Sequence, residues 1–232
     1  MTEELFRNNS YIQDCEAKII DIIDEGIILD KTIFYPEGGG QPGDNGQFKF
    51  NGKNFEITST SYKDKKIVHF VNNTSEFDLN QNINCQINWE RRFNIMRVHT
   101  CLHLLCSLIK APVTGGQINE RKGRLDFDVE TKPDREFILE NINKLIEEKH
   151  DVKISSITEE ELDKNPDLVR TMAVQPPRGT GKIRMISIGE NIDYQPCGGT
   201  HVRNTGEISS VSKVKIENKG RMNKRVILEF NN

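Results

Sequence analysis

"NWERRFNIMRVHTCLHLL", residues 88–105, is where the chain changes from strand-like to helical patterning. Upstream lie short β-type runs, "KIIDIIDEGIILD" (18–30), "GQFKFNGKNFEITSTSYKDKKIVHFV" (46–71) and "INCQINW" (83–89), punctuated by Gly, Asn and Asp. A polar, turn-rich stretch, "NNTSEFDLNQN" (72–82), separates the last two. From 91 to 110, Phe93, Met96, Leu102, Leu104, Leu105, Leu108 and Ile109 recur at mixed three-and-four spacing, the pattern of a largely buried helix. A boundary near residue 88 follows. It predicts a small β-barrel-like domain over 1–87 and a second domain over 88–232.

Beyond the helix, "RLDFDVE" (124–130) reads as a strand. Pro133 is placed to open a second helix with an amphipathic stripe of Ile138, Leu139, Ile142, Leu145 and Ile146. "TEEE" (158–161) fits a capping box for a short third helix ending before Pro166. "KIRMISIG" (182–189), "GEISSVSKVKIENKG" (206–220) and "KRVILEF" (224–230), with a turn at "NKGR" (218–221), read as an antiparallel meander. The fold class expected is α+β, with helices on one face of a sheet in the second domain.

The 232 residues carry 29% charged and 35% hydrophobic side chains and a net charge of −3, a globular composition that argues against a globally basic nucleic-acid wrapper. Local basic clusters remain: "ERRFNIMR" (90–97), "ERKGR" (120–124) and "SKVKIENKGRMNKR" (212–225). No apolar run approaches the roughly 20 residues that span a bilayer, and the amino terminus lacks signal-peptide character, so a cytoplasmic location without membrane contact is expected. Five cysteines without regular spacing do not make a disulfide framework; Cys15, Cys85 and Cys106 read as small core residues.

His99 and His103, four apart on the helix, share one face and can grip a single ion. That pair alone is a weak signal, and the absence of HExxH excludes the metalloprotease version. "QPCGGTHV" (195–202) adds Cys197 and His201 around two glycines that permit a tight turn. A soft thiolate with three imidazoles favours one Zn²⁺ over magnesium or calcium. Four protein ligands suit a closed structural site, whereas catalytic zinc usually keeps a position open, and pattern alone leaves both in play.

HxxxH followed by CxxxH, with "FYPEGGGQPGDNG" (34–46) upstream, resembles the editing domain of alanyl-tRNA synthetase and, more closely, the free-standing AlaX trans-editing proteins. "NWERRFNIMRVHTCLHLL", "VTGGQINERKGRLDFDV" (113–129) and "IDYQPCGGTHVRNTGEI" (192–208) carry the resemblance over most of the chain, in the medium-length form. Cys101 inside HTCLH is a local departure at a non-ligand position. The resemblance implies a β-barrel-like domain before a zinc-bearing α+β domain, zinc held by His99, His103, Cys197 and His201, and hydrolysis of the ester joining serine, or glycine, to tRNA(Ala). An editor of Ser-tRNA(Thr) is disfavoured by the Gly-rich stretch. A non-catalytic, zinc-stabilised RNA-binding module is the rival from another class.

Within that expectation, Gly38, Gly39 and Gly40 let backbone approach the substrate, with Gln41 and Asp44 as polar contacts; the bland alternative is a hairpin turn. A site that hydrogen-bonds serine's hydroxyl can reject alanine by roughly 10⁴-fold, and Thr32 and Gln117 are the polar candidates to face it. Arg121, Lys122, Arg124, Lys219, Arg221, Lys224 and Arg225 are expected to hold acceptor-stem phosphates.

Overall fold

Two-residue turns with both residues in the left-handed region build the first half of the chain. Asn51 and Gly52 (φ 47° and 73°) reverse it between β5 (Gly46–Phe50) and β6 (Lys53–Lys63). Asp64 and Lys65 (φ 49° and 63°) do the same between β6 and β7 (Lys66–Val71). Such turns match the right-handed twist of paired strands, and Asn-Gly is their strongest sequence signal. The run at 18–30 is likewise a hairpin rather than one strand: β2 (Asp14–Ile23) turns back at residues 24–25 into β3 (Gly26–Leu29). With β8 (Asn82–Ile87) these strands close a barrel in the order β2-β3-β7-β6-β5-β8. Two short strands, β1 (Glu3–Glu4) and β4 (Lys31–Thr32), pair in parallel beside it.

The structure is a computed structural model and describes residues 2–172, 178–179 and 181–231. It divides into two compact units, Met1–Phe93 and Asn94–Asn232. In the first, period-two alternation sends Ala17 and Ile19, Phe48, Ile57, and Ile83, Cys85 and Ile87 inward, where they pack with Phe34 and Phe77. The side chain of Asn88 accepts from the Arg91 N–H at 3.2 Å and so starts helix α1 (Trp89–Leu108) where strand patterning stops.

In the second unit, β9 (Val113–Ile118), β10 (Lys122–Asp128), β14 (Val211–Gly220) and β15 (Asn223–Phe230) form an antiparallel sheet ordered β14-β15-β10-β9. A Cβ on Gly123 would stand 2.7 Å from Val98 and 3.1 Å from Leu102, so glycine is what lets β10 lie this close to α1. Helix α2 (Arg135–Glu147) buries Ile138, Ile142 and Ile146 of the expected stripe. It starts after Asp134, whose carboxylate accepts the Phe137 N–H, and Pro133 therefore precedes the cap instead of opening the helix.

The capping box forms as read: Thr158 caps α3 (Glu159–Lys164), with Glu161 bonding back to the Thr158 N–H. The single meander does not form. "KIRMISIG" supplies β12 (Lys182–Ile188), which lies between β11 (Val152–Thr158) and β13 (Asp193–Pro196) in a separate three-stranded sheet. β11 escaped notice because its alternation is short: Val152 and Ile154 alternate with Lys153 and Ser155, and Ser156 then breaks the pattern. The α+β class holds, and among the described residues no helix is long and apolar enough to cross a membrane.

The barrel strands carry one histidine, and it is wholly buried. His69 on β7 meets Phe34 and Phe48 at ring-centroid distances of 5.3 and 5.6 Å. Its Nδ1 faces the Ile27 carbonyl at 3.0 Å, an acceptor only, so Nδ1 carries the proton. Nε2 then accepts from the Thr32 hydroxyl at 2.7 Å. Burial lowers the His69 pKa from 6.5 to about 4, so the ring is neutral in the fold.

The unfolded chain consequently binds a proton that the folded barrel refuses. Stability falls as pH drops below the ordinary histidine value, and the loss levels off below the folded one. Between pH 7 and pH 5 this one residue should cost about 2 kcal/mol. Denaturant titrations of wild type and His69→Gln at both pH values check this: the loss in wild type should exceed that in the variant by about that amount, and parallel losses would refute it.

Candidate metal centre

Helix α1 presents His99 and His103 one turn apart, and Thr100 and Cys101 between them are fully buried. The other half of the group follows β13, where the chain turns through Gly198 and Gly199 and brings Cys197 and His201 back together. Two glycines make that turn compact, and the Gly199 N–H donates to Cys197 Sγ at 3.4 Å. Arg184 on β12 pins the turn from outside, donating to the carbonyls of Cys197 (2.5 Å) and Gly199 (3.0 Å).

The ligand atoms of His99, His103, Cys197 and His201 all lie within 4.8 Å of one another. Cys197 Sγ is 3.5 Å from His99 Nε2 and 3.3 Å from His201 Nε2. Zinc–sulfur and zinc–nitrogen bonds of roughly 2.3 and 2.0 Å, arranged tetrahedrally, put S and N about 3.5 Å apart. The donor set and its spacing therefore fit one zinc ion.

The imidazoles are oriented by partners that the sequence reading did not single out. His103 Nδ1 meets Asp193 Oδ2 at 2.8 Å, and Gln195 Nε2 donates to the same carboxylate at 2.9 Å. His201 Nδ1 stands 3.1 Å from Thr100 Oγ1, which also accepts the Val202 N–H at 3.3 Å. Each ring thus turns Nε2 toward the shared centre. The available signal was period two: Asp193 and Gln195 stand two apart on β13 and share a face.

Electrostatics agree with a cation receptor. Burial would raise the Cys197 thiol, but the His99 and His201 rings and hydrogen bonds from His103 and His201 bring it well below the ordinary value. Burial would lower His103, but Asp193 and the Cys197 sulfur push it up to about 10. His201, buried beside His99, is held well below the ordinary histidine value. A pocket that forms a thiolate and favours positive charge beside Asp193 is one in which a bound dication would take the place of the proton on His103.

The other predicted residues scatter by role. Gly39 and Gly40 (φ 60° and 81°) are the exposed centre of a tight turn closed by reciprocal bonds between Gly38 and Gln41 at 3.1 and 3.0 Å. Gln41 is buried.

Asp44 is not a free contact: both its oxygens bind the buried guanidinium of Arg92, and Oδ2 also accepts the Tyr35 N–H at 2.6 Å. Arg92 further donates to the carbonyls of Ser10 and Ile33, so Asp44 anchors the loop rather than reaching outward. Thr32 is buried, its hydroxyl given to His69 while accepting the Phe34 N–H at 3.0 Å. Gln117 lies exposed on β9, accepting from Arg124 at 3.3 Å, and is no buried reader of a hydroxyl.

Lys224 is buried and caps the β14–β15 turn, donating to the carbonyls of Gly220 and Arg221, which removes it from any nucleic-acid surface. Arg124 and Arg225 converge on Asp126, Lys219 pairs with Glu217, Arg221 with Glu130, and Lys122 approaches Glu229 at 3.9 Å. Arg121 is exposed. The expected phosphate clamp is therefore a basic but acid-laced sheet face, on which Lys122, Arg124, Lys213, Lys215 and Arg225 outnumber Asp126, Glu217 and Glu229.

The described chain thus comprises a barrel unit and an α+β unit that carries a thiolate-imidazole centre. The family described as "tRNA synthetases class II (A)" matches residues 5–91, and "Threonyl and Alanyl tRNA synthetase second additional domain" matches 183–227. Alanyl-tRNA editing protein AlaX-M of Saccharolobus solfataricus is 36% identical over 233 residues, covering 97% of this chain and 98% of its own length. The protein of the same name in Methanosarcina acetivorans is 32% identical, with coverages of 97% and 98%. An alanine–tRNA ligase of Saccharolobus islandicus is also 32% identical, over 93% of this chain but only 25% of the ligase. The chain belongs to the AlaX-M family of alanyl-tRNA editing proteins.

Removing the carboxylate behind His103 tests the centre without touching a ligand. Asp193→Asn should weaken zinc binding about 10- to 100-fold, and Cys197→Ala should weaken it further. Competition against a chromophoric chelator reads both. Unchanged affinity in both variants would dissolve the assignment.

Proposed function

We propose that the chain is a zinc-dependent aminoacyl-tRNA hydrolase that removes serine from mischarged tRNA(Ala). The observation that supports this most is the convergence of His99, His103, Cys197 and His201 in a chain that matches alanyl-tRNA editing proteins over nearly its whole length. An aminoacyl ester is already activated, so its hydrolysis needs little more than a placed water and stabilisation of the charge that grows on the carbonyl oxygen. Zinc bound to these four residues would supply Lewis acidity toward that oxygen.

The chain's own groups hold and select. Gly39 and Gly40, exposed and without side chains, let a ligand come close to the backbone, while the Arg92–Asp44 pair fixes the following segment. Thr32 is the group we assign to serine's hydroxyl. Its proton is committed to His69 and one lone pair to the Phe34 N–H, which leaves the second lone pair to accept from serine. Alanine, lacking the hydroxyl, offers it nothing. Acceptor-stem phosphates would meet the basic sheet face through Arg121, Lys122, Arg124, Lys219, Arg221 and Arg225, in exchange for their present carboxylate partners.

A second reading rests on one observation: all four donors come from protein, as in closed structural zinc sites. It makes the chain a zinc-stabilised RNA-binding module without hydrolytic activity.

Side-by-side deacylation of Ser-tRNA(Ala), Gly-tRNA(Ala) and Ala-tRNA(Ala) separates the two. Wild type should release serine and spare alanine, and Cys197→Ala should slow serine release about 100-fold or more while circular dichroism shows the fold retained. No release from any substrate, with tRNA still bound, would instead establish the structural module. Thr32→Val should erase the serine-to-alanine preference, and an unchanged ratio would strike Thr32 from the site.

A further inference from the structure

Cys15 and Cys85 play no part in the metal centre, yet they stand directly opposite each other across β2 and β8, the first and last strands of the barrel order. Opposite residues of an antiparallel pair point to one face, and both sulfurs contribute to the same apolar cluster. The ladder fixes their spacing. Ile87 N–H donates to the Gln13 carbonyl and Ile19 N–H to the Gln81 carbonyl, so with the intervening register constant the 15–85 pair, like 13–87 and 19–81, is a hydrogen-bonded pair. Its Cα atoms are then about 5.5 Å apart, within the range of disulfides. The two thiols stand near enough to shift each other's ionisation.

From this cross-strand placement we infer that Cys15 and Cys85 are an oxidisable pair, which a small-molecule disulfide converts to an intramolecular bond that staples the barrel seam. Their asymmetry orders the steps. Cys15 is half-buried and reachable, whereas Cys85 is wholly buried. The neighbouring Cys85 thiol, helped by Lys31 and the Ile33 N–H, holds the Cys15 thiol below the ordinary value. Cys15 thiolate attacks one sulfur of the small disulfide, the S–S bond breaks, and one thiolate leaves. Cys85 sulfur then attacks Cys15 sulfur, its proton passes to the departing second thiolate, and the protein disulfide forms. Two protein thiols are oxidised and one small disulfide is reduced to two thiols.

The Cys85 thiol is raised by the neighbouring Cys15 and by burial, and only the first of these is relieved once Cys15 is a mixed disulfide. In a hydrogen-bonded pair the Cβ atoms lie toward the wide end of roughly 4.5–5.5 Å, against about 3.8 Å in a relaxed disulfide. Closure must draw the two side chains together by more than about 1 Å, and the strain makes the bond reducible by thiols, as suits a reversible modification. Cys101 and Cys106 are fully buried with thiols pushed up by burial, Cys106 to about 12, and serve as internal references that stay reduced.

The zinc-loaded full chain is incubated with oxidised glutathione and digested without reduction, and linked peptides are mapped by mass spectrometry. The expected product is the 15–85 cross-link, reversed by dithiothreitol, with alkylation of Cys15 slowed at least about 10-fold after oxidation. Cys85→Ala should halt the sequence at a glutathionyl adduct on Cys15, and Cys15→Ser should leave Cys85 unmodified. Wild type that accumulates only the adduct, or in which neither cysteine reacts, overturns the proposal.

Discussion

Three imidazoles and a thiol buried within 4.8 Å of one another are a constraint that the second unit has to meet. Leaving such groups unsatisfied in a dry interior costs several kcal/mol, so they need a shared ion or a dense set of partners. The surrounding structure serves that need. Gly123 lets β10 lie tightly against α1 beside Val98 and Leu102, one turn of the helix carries both histidines, and β13 delivers Asp193 and Gln195 to His103 just before the turn that carries Cys197. Among the described residues, Asp193 Oδ1 is a buried carboxylate oxygen without a hydrogen-bond partner. That leaves negative charge beside the ligands only partly neutralised, which favours a cation at the centre.

The first unit solves a comparable problem with a different device. Asp44 and Arg92 are both buried, and their pairing ties the end of the Gly-rich segment to the first turn of α1. A buried pair of this kind returns little net stability against a well-packed apolar substitute, but removing one partner is costly because the other is left uncompensated. Its contribution is geometric. Three further bonds, from Arg92 to the Ser10 and Ile33 carbonyls and from the Tyr35 N–H to Asp44, fix the chain on both sides of the exposed Gly39–Gly40 turn.

The barrel, the first helix, the capping box and the four-residue cluster were legible because each rests on local pattern: alternation with Asn-Gly turns, apolar spacing, Thr158 with Glu161, and two residue pairs spaced by four. What escaped depends on contacts between distant segments. Asp44 reads as an accessible loop carboxylate until Arg92, nearly fifty residues on, is seen to enclose it. Lys224 reads as a phosphate contact until the turn it caps is folded. β11 pairs with β12 along its whole length yet alternates only over residues 152–155, too short a run to mark a strand by itself. Basic clusters were visible as composition, whereas the acids that pair with them, Asp126 above all, come into place only through strand register.

Two buried histidines show how far partners, and not burial alone, decide what such a residue does. His69 and His103 are both sealed from water, and in each burial opposes the charged form. His69 faces a carbonyl and a hydroxyl, neither carrying charge, and its pKa falls to about 4. His103 faces a carboxylate and a thiolate, and its pKa rises to about 10. The first ring is a neutral strut whose tautomer orients Thr32, the second a seat for positive charge. Two histidines of one chain are thus assigned opposite tasks by the atoms set against their nitrogens: Ile27 on β3 and Thr32 on β4 in one unit, Asp193 on β13 and Cys197 in the turn after it in the other.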